Sequence, residues 1–146
     1  MRKAWPAVLL LAVMAGCGGS SNQTSQLTKA QYVAALHKLC SKANEEGARL
    51  KLTTEMAIWR KNGDQAAKIA QERVTGFEAL TPPEGLREAA ERHNKASERI
   101  ATAVQNAADA AKEGDSHKFN QALREQQNFN ILSRTAASEL GAKGCA

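Results

Sequence analysis

Three cysteines and three histidines, at positions 17, 40 and 145 and at 37, 93 and 117, are the side chains of this sequence best suited to chemistry. His37-x-x-Cys40 is a weak metal cue standing alone. No Cys-x-x-Cys, His-Glu-x-x-His, Glu-x-x-His, Gly-x-Ser-x-Gly or Walker loop occurs, and no Cys-x-x-Cys-His. Zinc-protease, di-iron, serine-hydrolase, nucleotide and haem chemistry therefore lack the residues that would carry them. His93 falls on a helix seam as a core or boundary residue, and His117 in a solvated first turn. The acids mostly serve helix faces: Glu45 with Arg49, Glu88 with Arg92 and Glu91 with Lys95 are i,i+4 pairs worth about 0.2–0.5 kcal/mol each. No nucleophile can be nominated, and the expectation is a protein that is not an enzyme and needs no metal or cofactor.

Cys17 has a different context. Arg2 and Lys3 precede an uncharged, mostly apolar run at residues 4–15. Twelve helical residues rise roughly 18 Å, short of the ~30 Å hydrocarbon core, so the run has the length of an export signal and not of a membrane span. It ends in Met14-Ala15-Gly16-Cys17, which resembles the lipobox of bacterial lipoproteins. The resemblance implies cleavage between Gly16 and Cys17, with lipid carried on the Cys17 thiol. Two or more acyl chains on that residue would anchor it firmly at about 0.8 kcal/mol per buried CH₂. Residues 18–26 hold no charge and no large apolar side chain, a flexible tether with a reach of roughly 15–18 Å. The expected organisation is a signal peptide at 1–16, a lipidated cysteine and tether at 17–27, and one folded domain at 28–146.

With Cys17 given to lipid, Cys40 and Cys145 remain as an even pair in an oxidising compartment. A disulfide is the simplest reading, a metal or redox pair the alternative. Closing that loop of about 105 residues is worth roughly 4–5 kcal/mol in the chain-entropy model. The domain needs it. After Cys17, Leu, Ile, Val and Phe number 20, about 15% of the remaining positions, while the whole chain holds 28 alanines. Alanine is the best helix former, so the composition favours an all-α domain and excludes a β-rich fold or a polytopic membrane protein.

The elements follow from stop and start signals. Thr28 and Gln31 form a capping box with Leu27 and Tyr32 as a hydrophobic staple. A first helix then runs on the seam Tyr32, Leu36, Leu39, Ala43, Gly47 and Leu50 to Asn62-Gly63, with Thr53-Thr54 as a weak point inside it. Asp64 caps a shorter second helix of about 16 residues, with Ala67, Ala70, Val74, Phe77 and Leu80 inward. Thr81-Pro82-Pro83-Glu84 ends it and starts a third through a further capping box. Helix three carries Leu86, Ala90, His93, Ser97, Ile100, Val104, Ala107 and Ala111 in steps of four and three. Gly114 and Asp115 separate it from helix four, whose inner face is read as Phe119, Ala122, Gln126, Phe129, Leu132, Ala136 and Leu140, with Gly141 as its end. Short connections predict an antiparallel up-down four-helix bundle. Helical rise places Cys40 roughly 18 Å up helix one and the end of helix four roughly 11 Å above the base, close enough for residues 142–145 to bridge.

The lipobox, the tether, the Thr-Lys-Ala-Gln-Tyr start, the Leu-Thr-Pro-Pro junction and the terminal Leu-Gly-x-x-Gly-Cys together resemble the small alanine-rich lipoproteins and secreted helical proteins common in actinobacteria. That resemblance brings no catalytic residues; it supports lipidation at Cys17 and pairing of Cys40 with Cys145. The expected role is a membrane-anchored, extracytoplasmic binding or accessory module of the cell envelope. Its partners would be the membrane, through lipid on Cys17, and an envelope protein or apolar ligand. The alternative is a carrier or sensor of a small apolar ligand inside the bundle. Trp59, with Phe77 or Phe119, is the candidate ligand or partner patch. Ala43, Gly47, Ala90 and Ala107 on the seams either bring helices close or leave a cavity. The formal charge of +5 is spread among acids, and no basic stripe with stacking aromatics supports nucleic-acid binding.

Overall fold

A computed structural model describes residues 27–145 as four antiparallel helices joined up-down-up-down. Helix α1 spans Lys29–Arg49, α2 Met56–Glu78, α3 Arg87–Glu113 and α4 Ser116–Leu140. The predicted capping box opens α1: the Gln31 N–H donates to Thr28 Oγ1 at 3.3 Å, and the Thr28 N–H to Gln31 Oε1 at 2.9 Å. The expected signal, the Gly16–Cys17 cleavage site, the proposed lipidation of Cys17 and the tether as far as residue 26 lie outside the described residues.

The first hairpin turns about four helical turns of sequence earlier than its glycine suggests. α1 ends at Arg49, and residues 50–55, including Thr53 and Thr54, form the turn, with Lys51 in a left-handed conformation at φ 48°. Asn62 and Gly63 sit inside α2. Asn62 Nδ2 donates to the Leu50 carbonyl at 3.1 Å, tying the turn to the helix. A Cβ on Gly63 would lie 2.7 Å from that of Ala108, so this glycine permits close approach of α2 to α3 and does not end a helix. Asp64 caps nothing; it is exposed and pairs with Lys112 of α3. Arg60, near the start of α2, donates from Nε to the Ala111 carbonyl at 3.0 Å near the end of α3. The correction also evens the helices, at 21, 23, 27 and 25 residues.

At the base, Pro83 precedes a single 3-10 turn at Glu84–Leu86 without side-chain capping, so the Thr81–Glu84 box does not form. The α3 seam is buried as read, from Ala90 through His93, Ser97, Ile100, Val104 and Ala107 to Ala111. Gly114 closes α3 at φ 74°, and Asp115 caps α4 by accepting from the His117 and Lys118 N–H groups at 3.1 and 3.0 Å. The α4 face departs from expectation at Leu132, which is 57% exposed, while Ser133 is buried. Gln126, Phe129 and Leu132 are linked by two successive steps of three, and these swing the seam by about 120° away from the core.

α3 lies between α2 and α4, while α1 packs on α2 and on the C-terminal 3-10 turn Lys143–Cys145. The Cys40–Cys145 disulfide pins that contact, with Cα atoms 5.1 Å apart. Two hydrophobic clusters fill the interior. A basal one gathers Tyr32, Leu36, Cys40, Phe77, Ala89, Ala90, Leu140 and Ala142. The other, toward the top, is built on Trp59, Val74, Ile100, Val104, Phe119 and many alanines. No described helix is long and apolar enough to cross a membrane.

Candidate functional site

The three aromatic residues expected to share a patch divide between the two clusters. Trp59 and Phe119 meet edge to face, ring centroids 5.8 Å apart, in the upper cluster. Phe77 packs in the basal cluster, its ring 4.7 Å from that of His93. All three are buried, at 3%, 2% and 1% exposure, because α2 and α4 turn them into the core. What Trp59 borders is a cavity of about 150 Å³ that all four helices help to line.

Its geometry follows from α1. That helix buries only Tyr32, Leu36 and Cys40; beyond the disulfide, its inward positions are Ala43 and Gly47, too short to reach the opposite wall. Nothing lies within 4 Å of the place a Gly47 Cβ would take. The space that results is a crevice between the upper half of α1 and the rest of the bundle. Leu50 and Leu52 from the turn, Trp59, Ile69, Ile100 and Val104 supply an apolar wall. Trp59 is fixed by its indole Nε1, which donates to the Thr53 carbonyl at 2.7 Å.

The polar part of the lining is Arg73 of α2 with Gln126 and Asn130 of α4. Arg73 Nε is buried, and among the described residues this side chain has neither a hydrogen-bond partner nor a carboxylate. Its guanidinium stands 5.9 Å above the Phe77 ring, at the boundary between the clusters. Burial holds its pKa below the usual arginine value. The amides of Gln126 and Asn130 likewise make no hydrogen bond among the described residues. Close by, burial first and the Arg73 charge second push the His93 pKa down to about 4, so its ring is neutral at pH 7.

Arg73 was not singled out from the sequence, although a signal for it exists. Ala66, Ala70, Arg73 and Phe77 follow steps of four, three and four, which places a charged residue on the inner seam of α2. His37 stays on α1 near the C-terminal turn, with Gly144 against its ring. Among the described residues, no three His, Cys, Asp or Glu side chains converge as a metal ion would require.

A second concavity, about 570 Å³, runs along the outer face between α3 and α4. Ala96, Phe129, Leu132 and Ala136 floor it beneath Arg92, Lys95 and Arg99. Two of these cations are already engaged. Arg92 pairs with Glu88 at 2.6 Å and with Glu139, and Arg99 lies 6.0 Å from the Phe129 ring centroid. The crevice differs in holding an arginine whose Nε is buried without a hydrogen-bond partner and which has no carboxylate beside it among the described residues. In comparisons with protein-family models, with curated proteins and with solved structures, nothing matches this chain.

Proposed function

We propose that the protein is a lipid-anchored, extracytoplasmic binding module of the cell envelope that takes a small, largely apolar ligand into the crevice beside Trp59. The observation that carries this reading is the cavity of about 150 Å³ left where Ala43 and Gly47 face the upper core. The crevice is open to solvent and not sealed in the core, so a small apolar chain can enter it without the helices parting. Its lining offers a guanidinium, two amides and apolar groups, with no nucleophile or general base, which favours binding over catalysis. The apolar run ending at Met14-Ala15-Gly16-Cys17 and the uncharged tether after it support the anchor.

The two parts of this proposal are tested separately. Export of a Cys17→Ala form should move the protein from the membrane to the soluble fraction; undiminished membrane partition overturns the anchor. For the crevice, the chain has two tryptophans, Trp5 and Trp59, and a form starting at Cys17 keeps only Trp59. Titration with eight-carbon amphiphiles should then change Trp59 emission saturably. Gly47→Leu, which projects a side chain into the open space, should abolish the response. A response that survives Gly47→Leu, or none with any amphiphile, overturns the crevice as the site.

A further inference from the structure

We infer that the crevice selects a single-chain carboxylate, a slim apolar tail ending in an anionic head held by Arg73 with the amides of Gln126 and Asn130. This rests on the crevice being a binding site and adds the chemical class of what enters it.

The first argument is electrostatic. A guanidinium whose Nε is buried with no hydrogen-bond partner or carboxylate among the described residues forfeits hydration there that only the Phe77 face partly returns. Proteins rarely keep such a group in an apolar setting unless something pairs with it. The nearest compensation is the face of Phe77, a weak substitute for an anion. Arginine is also well suited to a carboxylate, because its planar fork can donate two parallel N–H bonds. The amide groups of Gln126 and Asn130 add donors that remain unspent in the described chain.

The second argument is shape. Trp59 and Arg73 are fourteen residues apart on α2, roughly 21 Å of helix. A cavity of about 150 Å³ drawn out between them is narrow. That volume suits one slim chain better than a two-chain lipid. Polarity runs along the same line. Trp59 is one turn below the top of α2, with Leu50 and Leu52 of the adjoining turn also in the wall, whereas Arg73 lies five residues from the basal end. On α4, Asn130 sits roughly 21 Å below the start of the helix and Arg73 roughly 26 Å below that of α2, so the two polar groups reach similar depths. The ligand's head therefore lies deep and its tail points toward Trp59 and the turn at residues 50–55.

The test uses the form beginning at Cys17 and three eight-carbon probes read by Trp59 emission: octanoate, 1-octanol and protonated octylamine. Octanoate should bind roughly ten- to hundredfold more tightly than octanol, the range of one charge-assisted pairing. Octylammonium should bind more weakly than octanol. Arg73→Met should bring octanoate and octanol to similar affinity, while Arg73→Lys should retain part of the preference. Octanol binding as tightly as octanoate to the unmutated protein overturns the carboxylate assignment and leaves the crevice standing. A preference that persists in Arg73→Met overturns the role of Arg73. If no probe binds, or all bind undiminished in Gly47→Leu, the crevice itself is wrong. The comparison of probes on the unmutated protein holds even where Arg73→Met fails to fold.

Discussion

The base and the top of this bundle solve the same packing problem with different materials. Three of the eight buried residues in the basal cluster are alanine, and Tyr32, Leu36, Phe77 and Leu140 give it bulk enough to hold α1 in place. In the upper cluster eight of thirteen are alanine, and these side chains close α2, α3 and α4 on one another but cannot extend to a fourth helix. The two rings buried within it, Trp59 and Phe119, meet each other edge to face. α1 is accordingly fastened at both ends and loose between them. The disulfide and Leu36 hold it below, and the Asn62–Leu50 and Trp59–Thr53 hydrogen bonds hold its turn above. A crevice arises in this fold without an irregular helix; it needs only small residues on one stretch of one seam.

The strongest way to break the contrast is to cut the staple. Replacing Cys40 and Cys145 by serine should cost roughly 4–5 kcal/mol, the chain-entropy value for a closed loop of this length. Denaturant unfolding measures the loss. Hydrogen exchange should locate it, with α1 amides losing protection before those of α3 and α4. A loss below about 1 kcal/mol, or protection falling evenly over all four helices, would mean that α1 is held by packing alone.

Acid should attack the base more than the top, through His93. The ring is 1% exposed, and its Nδ1 has no hydrogen-bond partner among the described residues. Its folded pKa of about 4 lies below the unfolded value of about 6.5, so between those limits the unfolded chain binds the extra proton. Stability is then full above pH 6.5 and falls as the pH drops toward 4, by about 3 kcal/mol in total. Carboxylates add their own slope, so the measurement is the difference between the parent protein and His93→Leu in unfolding free energy at pH 7 and at pH 4. Equal slopes in the two proteins would show that His93 is not buried as a neutral base.

How far these features could be read in advance depends on whether their cause is local. The Thr28–Gln31 box, the Gly114–Asp115 junction and the Gly141 stop are set by residues within a turn of one another, and each forms as its neighbours dictate. The unbroken steps of the α3 seam were legible because that helix packs on both sides. Gly63 misled because its reason lies 45 positions away, in Ala108, and a contact glycine looks the same in sequence as a stop. Leu132 misled because a short apolar repeat has no way to mark where its face leaves the core. For the candidate site, Trp59, Ala43 and Gly47 stood out as residues that could border a space. Arg73 did not, since a charge among seam positions reads as surface until burial is known.

The smallest effect gives the finest test of the comparison, because it turns on sign. Gly47 and Gly63 both lie within helices, where exchange for alanine gains about 1 kcal/mol of helix propensity. At Gly47 the added methyl meets nothing within 4 Å, so Gly47→Ala should stabilise by about that amount. At Gly63 the same methyl would stand 2.7 Å from Ala108 Cβ and 3.0 Å from its Cα, and backbone atoms cannot swing aside as a flexible side chain does. Separating α2 from α3 there should cost about 1–3 kcal/mol, enough to cancel or outweigh the propensity gain. Gly63→Ala is thus expected to be neutral to destabilising while Gly47→Ala is stabilising, as thermal melts at one pH would show. If both stabilise, α2 and α3 are not in close contact at Ala108. If Gly47→Ala destabilises instead, the upper half of α1 already rests against the core, and the space that would admit a ligand is closed.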